Sequence, residues 1–364
     1  MKLFNKSTSK KALALAVCSV FILAGCSTSS NKTEEKKDEA IKINVGYYNC
    51  DHMVAAPVSE AAGIYKKHNL DVILTGNGKV PEAMAAGKMD AGYIGSKGMV
   101  AANAEGAPII CGANNHKGGS EYLVVANDVN SPQELLGQKV SIGNPEKDTS
   151  WLLGYSKELN LSTKPSDYEL INIDSDKDKF LALSTGQIKA YTTCDPWGTM
   201  AEHEGKGKIM STYSKMGDHT GICCGFVLNK NFISEHRDLA KELLKVHSES
   251  IQFIYENPKK AAEIFSKYYN VPYDVSLKTI YKKCVAEGRT LTWKIDETEF
   301  NHALKMYKEY KIIENVPDMN ALFEKGLYEE AKLDDFDAFI KEKIDSKYPV
   351  GMSFDEFKKV AESL

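Results

Sequence analysis

From residue 42 onward, short apolar runs alternate with segments of helical period, and this alternation restricts the fold more than any other feature. IKINVGYY (41–48), LDVILTG (70–76), DAGYIG (90–95) and PIICGAN (108–114) read as strands. HMVAAPVSEAAGIYKKH (52–68), PEAMAAGK (81–88) and the stretch through VAANAEG have helical spacing. Strands alternating with helices build an α/β fold of mostly parallel sheets with helices on both faces. The pattern resumes in EYLVVAN (121–127), KVSIG (139–143), YELINID and IKAYTTC (188–194). SPQELLG reads as a Ser-capped short helix, DTSWLLGYSKELN (148–160) as a helix capped by Asp148 or Thr149, and DKFLALSTG as a third. CCGFVLNK (223–230) reads as a strand returning to the first lobe, and the chain beyond it is mainly helical.

The N-terminal segment speaks to compartment rather than fold. MKLFNKSTSKK is lysine-rich, and the uncharged run ALALAVCSVFILAG follows it. These are the two parts of an export signal, with a run short for a membrane span. Leu23-Ala24-Gly25-Cys26 resembles a bacterial lipobox, which implies cleavage before Cys26 and lipid on that residue. STSSNKTEEKKDEA (27–40) lacks apolar pattern and reads as a solvated tether. The formal charge is −4. Without the signal lysines it becomes about −8, so no basic surplus favours nucleic acid. Hydrophobic residues at 43% and charged residues at 26% fit an ordinary globular body. That body exceeds the usual limit of one core, so two lobes are expected.

Ligands of open α/β sheets bind beyond the carboxyl ends of strands, near helix N-termini. Applied strand by strand, the rule selects Cys50, Asp51 and His52, then Ser96 and Lys97, then Cys111 and His116. In the second lobe it selects Thr149, Ser150 and Trp151, then Cys194, Asp195 and Trp197. His219, Cys223 and Cys224 open the returning strand. His68, His203, His236, His247 and His302 read as solvated residues on helix surfaces or ends. Setting aside Cys18 and Cys26, five of the six remaining cysteines fall near the expected cleft, and Cys284 does not. A single buried cysteine is ordinarily a small hydrophobe, but five together suggest a function. No CxxC or zinc-ribbon spacing is present. Dispersed thiols suit soft metals or organometal species, and Cys50, Cys111, Cys194, Cys223 and Cys224 form the expected metal set. A hard anion would instead use Lys97 with the Ser96, Thr149 and Ser150 hydroxyls. Within a regular strand Cys223 and Cys224 would face opposite ways. Joint action therefore requires the strand to begin after Cys224.

KVPEAMAAGKMDAGYIGSKGMVAANAEGAPI and LALSTGQIKAYTTCDPWGTMAEHEGKGKIM resemble the two lobe signatures of ABC-transporter solute-binding lipoproteins. The branch is the nitrate/sulfonate/taurine and thiamine-precursor (NMT1/THI5-like) one. The resemblance implies a two-lobed, periplasmic-binding-protein-like type II fold, two crossing segments, and a cleft that closes on a solute. The implied boundaries are 1–25 signal peptide, 26–40 tether, 41–120 and 221–317 first lobe, 121–220 second lobe, and 318–364 helical extension. HTGICCGFVLNKNFI also resembles the cysteine-rich segment of thiamine-pyrimidine synthases, although Gly225 and Val227 stand where that cluster continues. The vicinal pair further resembles binding proteins of selenocysteine-assisted organometal transport. The expectation is an extracytoplasmic, lipid-anchored monomer that is not an enzyme and uses no cofactor. Its partners are an ABC permease and ATPase, a small-molecule or metal-containing ligand, and the membrane through its lipid. The alternatives are a binder of sulfonate, nitrate-like anion or thiamine-pyrimidine precursor, and a pyrimidine-synthase-like enzyme.

Overall fold

The structure, a computed structural model, describes residues 41–76, 79–118, 121–215 and 219–363. The signal, lipobox and tether readings lie outside the described residues. Five strands form the first sheet: β1 (Lys42–Tyr47), β2 (Asp71–Gly76), β3 (Ala91–Gly95), β4 (Ile109–Lys117) and β10 (Ile222–Asn229). Five more form the second: β5 (Glu121–Ala126), β6 (Lys139–Ser141), β7 (Glu169–Leu170), β8 (Ala190–Thr193) and β9 (Gly207–Tyr213). The orders are β2-β1-β3-β10-β4 and β7-β6-β8-β5-β9. The two-lobed α/β architecture expected from the alternation is present. Each sheet is mixed, however. β1 runs parallel to β2 and β3, and β6 runs parallel to β7 and β8. β10 is antiparallel to β3 and β4, and β5 is antiparallel to β8 and β9. The antiparallel pairs arise because the chain crosses between sheets twice, from β4 to β5 and from β9 to β10.

Those crossings are joined to each other. The Gly118 N–H donates to the Gly221 carbonyl at 3.1 Å. Both glycines hold φ near +70 to +80°, Gly118 at 79° and Gly221 at 69°, a region that costs other residues a clash between Cβ and backbone. A Cβ on Gly118 would also stand 3.0 Å from the Ser214 carbonyl oxygen.

Apolar periodicity explains the helices that cover the first sheet. Arg237–Glu256 buries Ala240, Leu243, Leu244, Ile251 and Ile254, a stripe of helical spacing. His247 lies in that stripe, contrary to the expectation that it is solvated. It is buried, stacks on Phe226 at 4.9 Å and bonds the Asn114 carbonyl at 2.7 Å, and burial lowers its pKa to about 4. The expected helix 52–68 breaks at Gly63, whose φ is 73°, into Ala55–Ala61 and Ile64–Lys67. The C-terminal helices share the first lobe's core. Trp293 is fully buried, with Phe336 edge-on at 5.0 Å, and Ile344, Tyr348, Phe357 and Ala361 join the same cluster. Each such buried large side chain contributes roughly 1.5–3 kcal/mol through removal from water. Among the described residues no helix is long and apolar enough to cross a membrane.

Replacing Gly118 by alanine is expected to destabilise the fold by about 1–2 kcal/mol, the cost of a left-handed non-glycine residue. Urea unfolding measures it, and an unchanged midpoint would show that the crossing tolerates a Cβ.

Candidate functional site

Where the two lobes meet, the chain buries charges. The Lys283 side chain is completely buried, 2.8 Å from Asp51 Oδ2 and 2.6 Å from Glu287 Oε2, and it donates to the Tyr122 hydroxyl at 3.2 Å. Its neighbour Lys282 reaches Asp195 at 3.0 Å and the Thr199 hydroxyl at 2.7 Å. Residues Lys282–Ala286 form a widened, π-type turn at the end of helix Tyr273–Tyr281. Such turns re-aim side chains and occur often at functional sites. Both ammonium groups also lie over the Tyr122 ring, at 4.2 and 5.5 Å. The Asp51 N–H donates to the Asp195 carbonyl at 3.0 Å, which ties the first lobe directly to the second. Burial raises the Asp51 pKa, against the opposing charges of His52 and Lys283. Burial alone would lower that of Lys283, but Asp51 and Glu287 hold it well up.

Asp51 presents its other oxygen to His52, 3.5 Å from Nε2. The Nδ1 of His52 lies 3.2 Å from the Cys223 sulfur. His52 stacks on His116 with ring centroids 4.1 Å apart and planes within 14°. Burial pulls His52 down, but Asp51 and Cys223 raise its pKa well above the ordinary value. Burial, with the charges of His52 and Lys283, drives the His116 pKa well below it. The two rings are thus pushed in opposite directions, His52 toward its charged form and His116 toward its neutral one. The Cys223 thiol is raised, first by its hydrogen bond with Cys224 and then by burial.

A local departure from regular strand geometry brings these groups together. β10 pairs Ile222 with Lys117, Cys224 with His116 and Gly225 with Asn114, so its register skips Cys223 on one strand and Asn115 on the other. These irregularities re-aim side chains that strict alternation would send to opposite faces. The strand thus includes both cysteines, which corrects the expectation that it must begin after Cys224, yet both thiols reach one site. One donor atom from each of His52, His116, Cys223 and Cys224 lies within 4.8 Å of the others. Asn115 reaches the same place, donating to the His52 carbonyl at 2.6 Å and to the Cys224 sulfur at 3.5 Å. The outer edge of β4 is covered late in the chain, where Thr292 N–H bonds the Asn115 carbonyl and Lys117 N–H bonds the Thr290 carbonyl.

A second thiol pair spans the lobes. The Cys194 thiol hydrogen-bonds Cys50, which lowers the Cys50 pKa and raises that of Cys194. Both are free thiols. Cys223 also lines a cavity of about 120 Å³ between the lobes, with Ser96, Lys97 and Tyr307 from one side and Glu121, Thr149, Ser150 and Tyr213 from the other. The buried Tyr213 hydroxyl has no hydrogen-bond partner among the described residues. Glu121 is raised to about 7 by burial and by the charge of Asp148, against the Ser150 hydroxyl that donates to it.

Several expected site residues stand elsewhere. Cys111 is buried within β4, because that strand runs on to Lys117. Its thiol donates to the Ala113 carbonyl at 3.1 Å, its sulfur fills the space beside Gly225, and burial pushes its pKa up to about 12. It is core and leaves the metal set. Trp151 is fully buried in the second lobe, packed on Tyr155 and Tyr168, with its N–H on the Ser162 carbonyl. No face is left for a ligand. His219 stacks on His302 at 3.8 Å and pairs with Glu299, away from the four-atom cluster. Asp195 caps its own turn through the Thr199 N–H and hydroxyl as well as meeting Lys282. Trp197 lines a separate cavity with Tyr48, Asn49, Asp176 and Tyr269. Sequence reasoning overlooked Lys283, Glu287, Glu121, Asn115 and Tyr213. Lys283 and Glu287 do carry a signal, an i,i+4 charge pair that brackets the apolar Cys284, Val285 and Ala286.

A family model described as "NMT1/THI5 like" matches residues 51–261. A Bacillus subtilis (strain 168) relative, whose name provisionally assigns it aliphatic sulfonates, is 22% identical over 265 residues, 71% of this chain and 78% of that protein. The taurine-binding periplasmic protein of Escherichia coli (strain K12) is 22% identical over 60% of this chain and 68% of its own. Among solved structures, the zinc-bound ligand-binding component of an ABC-type import system from Staphylococcus aureus superposes with TM-score 0.66 at 19% identity. It covers 80% of this chain and 99% of that one. These structures share the fold.

Replacing Lys283 by methionine strands Asp51 in a dry site, and a loss of about 3–5 kcal/mol is expected in chemical unfolding. A loss below about 1 kcal/mol would show that water reaches the pair. Glu121 has a raised pKa, so its contribution to stability is complete below the ordinary 4.5 and is lost as pH rises through about 7. Glu121→Gln should therefore flatten the fall in melting temperature between about pH 5 and about pH 8. An unchanged profile would mean that Glu121 titrates as an exposed carboxyl.

Proposed function

Because the chain belongs to the NMT1/THI5-like family, we propose that it is the solute-binding component of an ABC importer, closing its lobes on a solute and presenting it to the permease and ATPase. The lysine-rich start, apolar run and Leu23-Ala24-Gly25-Cys26 support an extracytoplasmic protein held at the membrane by lipid on Cys26. Its work is binding, with no bond made or broken in the solute. Closure favours whichever lobe arrangement the solute contacts on both sides.

The solute in this reading is thiophilic, a soft metal or organometal species. One observation carries it: Cys223 lines the interlobe cavity, and its thiol lies within 4.8 Å of the Cys224 sulfur and of two imidazole nitrogens. The opposite wall holds Glu121, and the charge of nearby Asp148 raises its pKa. In their ionised forms these two carboxyl groups disfavour an anion. A sulfonate-like anion is the second reading. The names of the two relatives favour it, as do Lys97 and the start of helix Ser96–Ala104 on the cavity rim.

Lobe closure of the reduced full chain, followed by small-angle scattering, separates the two. Hg(II) and Cu(I) are expected to close it, taurine is not, and changing both Cys223 and Cys224 to serine should abolish the response. Closure by taurine that ignores the double substitution would replace the thiophilic reading with the anionic one.

A further inference from the structure

We infer that the solute is held as one divalent d10 metal ion by four atoms, His52 Nδ1, a ring nitrogen of His116, Cys223 Sγ and Cys224 Sγ. The inference rests on the thiophilic-solute reading and names its coordination. Proximity is the first observation: the four donor atoms lie within 4.8 Å of one another, close enough to surround one ion. They are also nearly sealed from water, with His116 at 0%, Cys224 at 1% and His52 at 3% exposure. Only Cys223, half-buried, opens on the interlobe cavity.

The second observation is an unmet demand. Both ring nitrogens of His116 are buried without a hydrogen-bond partner among the described residues. A histidine kept only for packing would not hold two polar atoms dry and unpaired. The ring stacks on His52, and one of its nitrogens lies within 4.8 Å of both sulfurs. A coordinated ion would satisfy one of those nitrogens.

The third observation is a set of outer-shell groups close at hand. Ligating imidazoles ordinarily give their second N–H to a carboxylate, which fixes the ring. His52 has Nδ1 toward Cys223 and Nε2 toward Asp51, and Asp51 is anchored by Lys283. The Asn115 amide donates to the Cys224 sulfur and the His52 carbonyl. Two strand irregularities supply adjacent pairs, Asn115–His116 and Cys223–Cys224, to this one point.

Two thiolates and two imidazoles suit the zinc, cadmium and mercury class in tetrahedral geometry. Binding exchanges protons for the ion: each thiol loses one H⁺, a His52 ring that enters as imidazolium loses a third, and the Cys2His2 complex is neutral. No electron moves. Cys111 is excluded by its place behind Gly225. Cys50 and Cys194 hydrogen-bond each other as free thiols, and Cys50 groups with Asp51 and His52 apart from the vicinal thiols.

The test uses Cd(II) alone on the reduced full chain. One ion per chain is expected, with two sulfur and two nitrogen neighbours in X-ray absorption, a measurement on the unaltered protein. Cys224→Ser and His116→Gln should each weaken binding by at least about 100-fold. Cys111→Ser, in the same strand, should leave it unchanged. An all-sulfur shell, or full affinity in His116→Gln, overturns this donor set while leaving a thiophilic solute standing. Absence of Cd(II) binding overturns both.

Discussion

The buried Lys283 ammonium is the interaction on which the meeting of the two lobes depends. Removing a full charge from water is tolerable only when opposite charge and hydrogen bonds replace the solvent. Asp51, Glu287 and the Tyr122 hydroxyl do so here. The requirement propagates outward. Asp51 can stay beside His52 because Lys283 holds it, and His52 can present Nδ1 to Cys223 because Asp51 faces its other nitrogen. Tyr122 belongs to the second sheet and Asp51 to the loop after β1, so the same charge joins lobes and site.

The second constraint is backbone geometry at the crossings. Regular alternation would have put one of Cys223 and Cys224 in the core and the other in the cleft. The skipped residues in β4 and β10 abolish that choice locally and give the site two adjacent pairs. A few residues further on, Gly118 and Gly221 carry both strands out of the first lobe, bonded to each other. An ion held by β4, β10 and the loop after β1 would therefore brace the strands that carry the second lobe.

Much of this was legible in the sequence because it depends on period and punctuation. The alternation of short apolar runs with helical segments gave the two-lobed α/β fold, and the strand-exit rule reached Cys50, His52, Ser96, Ser150 and Cys194. The rule failed where strand length was misjudged. Taking β4 to end at Asn114 put Cys111 near the strand's end and so near the cleft, whereas three more residues of strand leave it in the core. The mixed sheets were not legible either, since pairing direction depends on where the chain crosses, not on local period. Nor were the skipped residues, since register is a property of two strands more than a hundred residues apart in sequence. Lys283 was missed for a similar reason: a buried lysine is defined by its partners, and Asp51 lies more than two hundred residues earlier.

The placement of the donors says how capture would be coupled to closure. All four protein donors belong to the first lobe or to its crossing strands, so an ion they held would contact the second lobe through none of them. Cys223 alone is shared between the donor set and the interlobe cavity, whose far wall is Glu121, Thr149, Ser150 and Tyr213. A ligand can shift an equilibrium only by contacts it makes differently in the two states. Four protein donors fill a tetrahedral shell, so the ion carries no further ligand into the cavity. Coupling must then run through β4 and β10, the crossing strands that the ion braces and that lead into the second lobe. On that view the metal supplies affinity on one lobe, and the stiffened crossings supply the preference for the closed form.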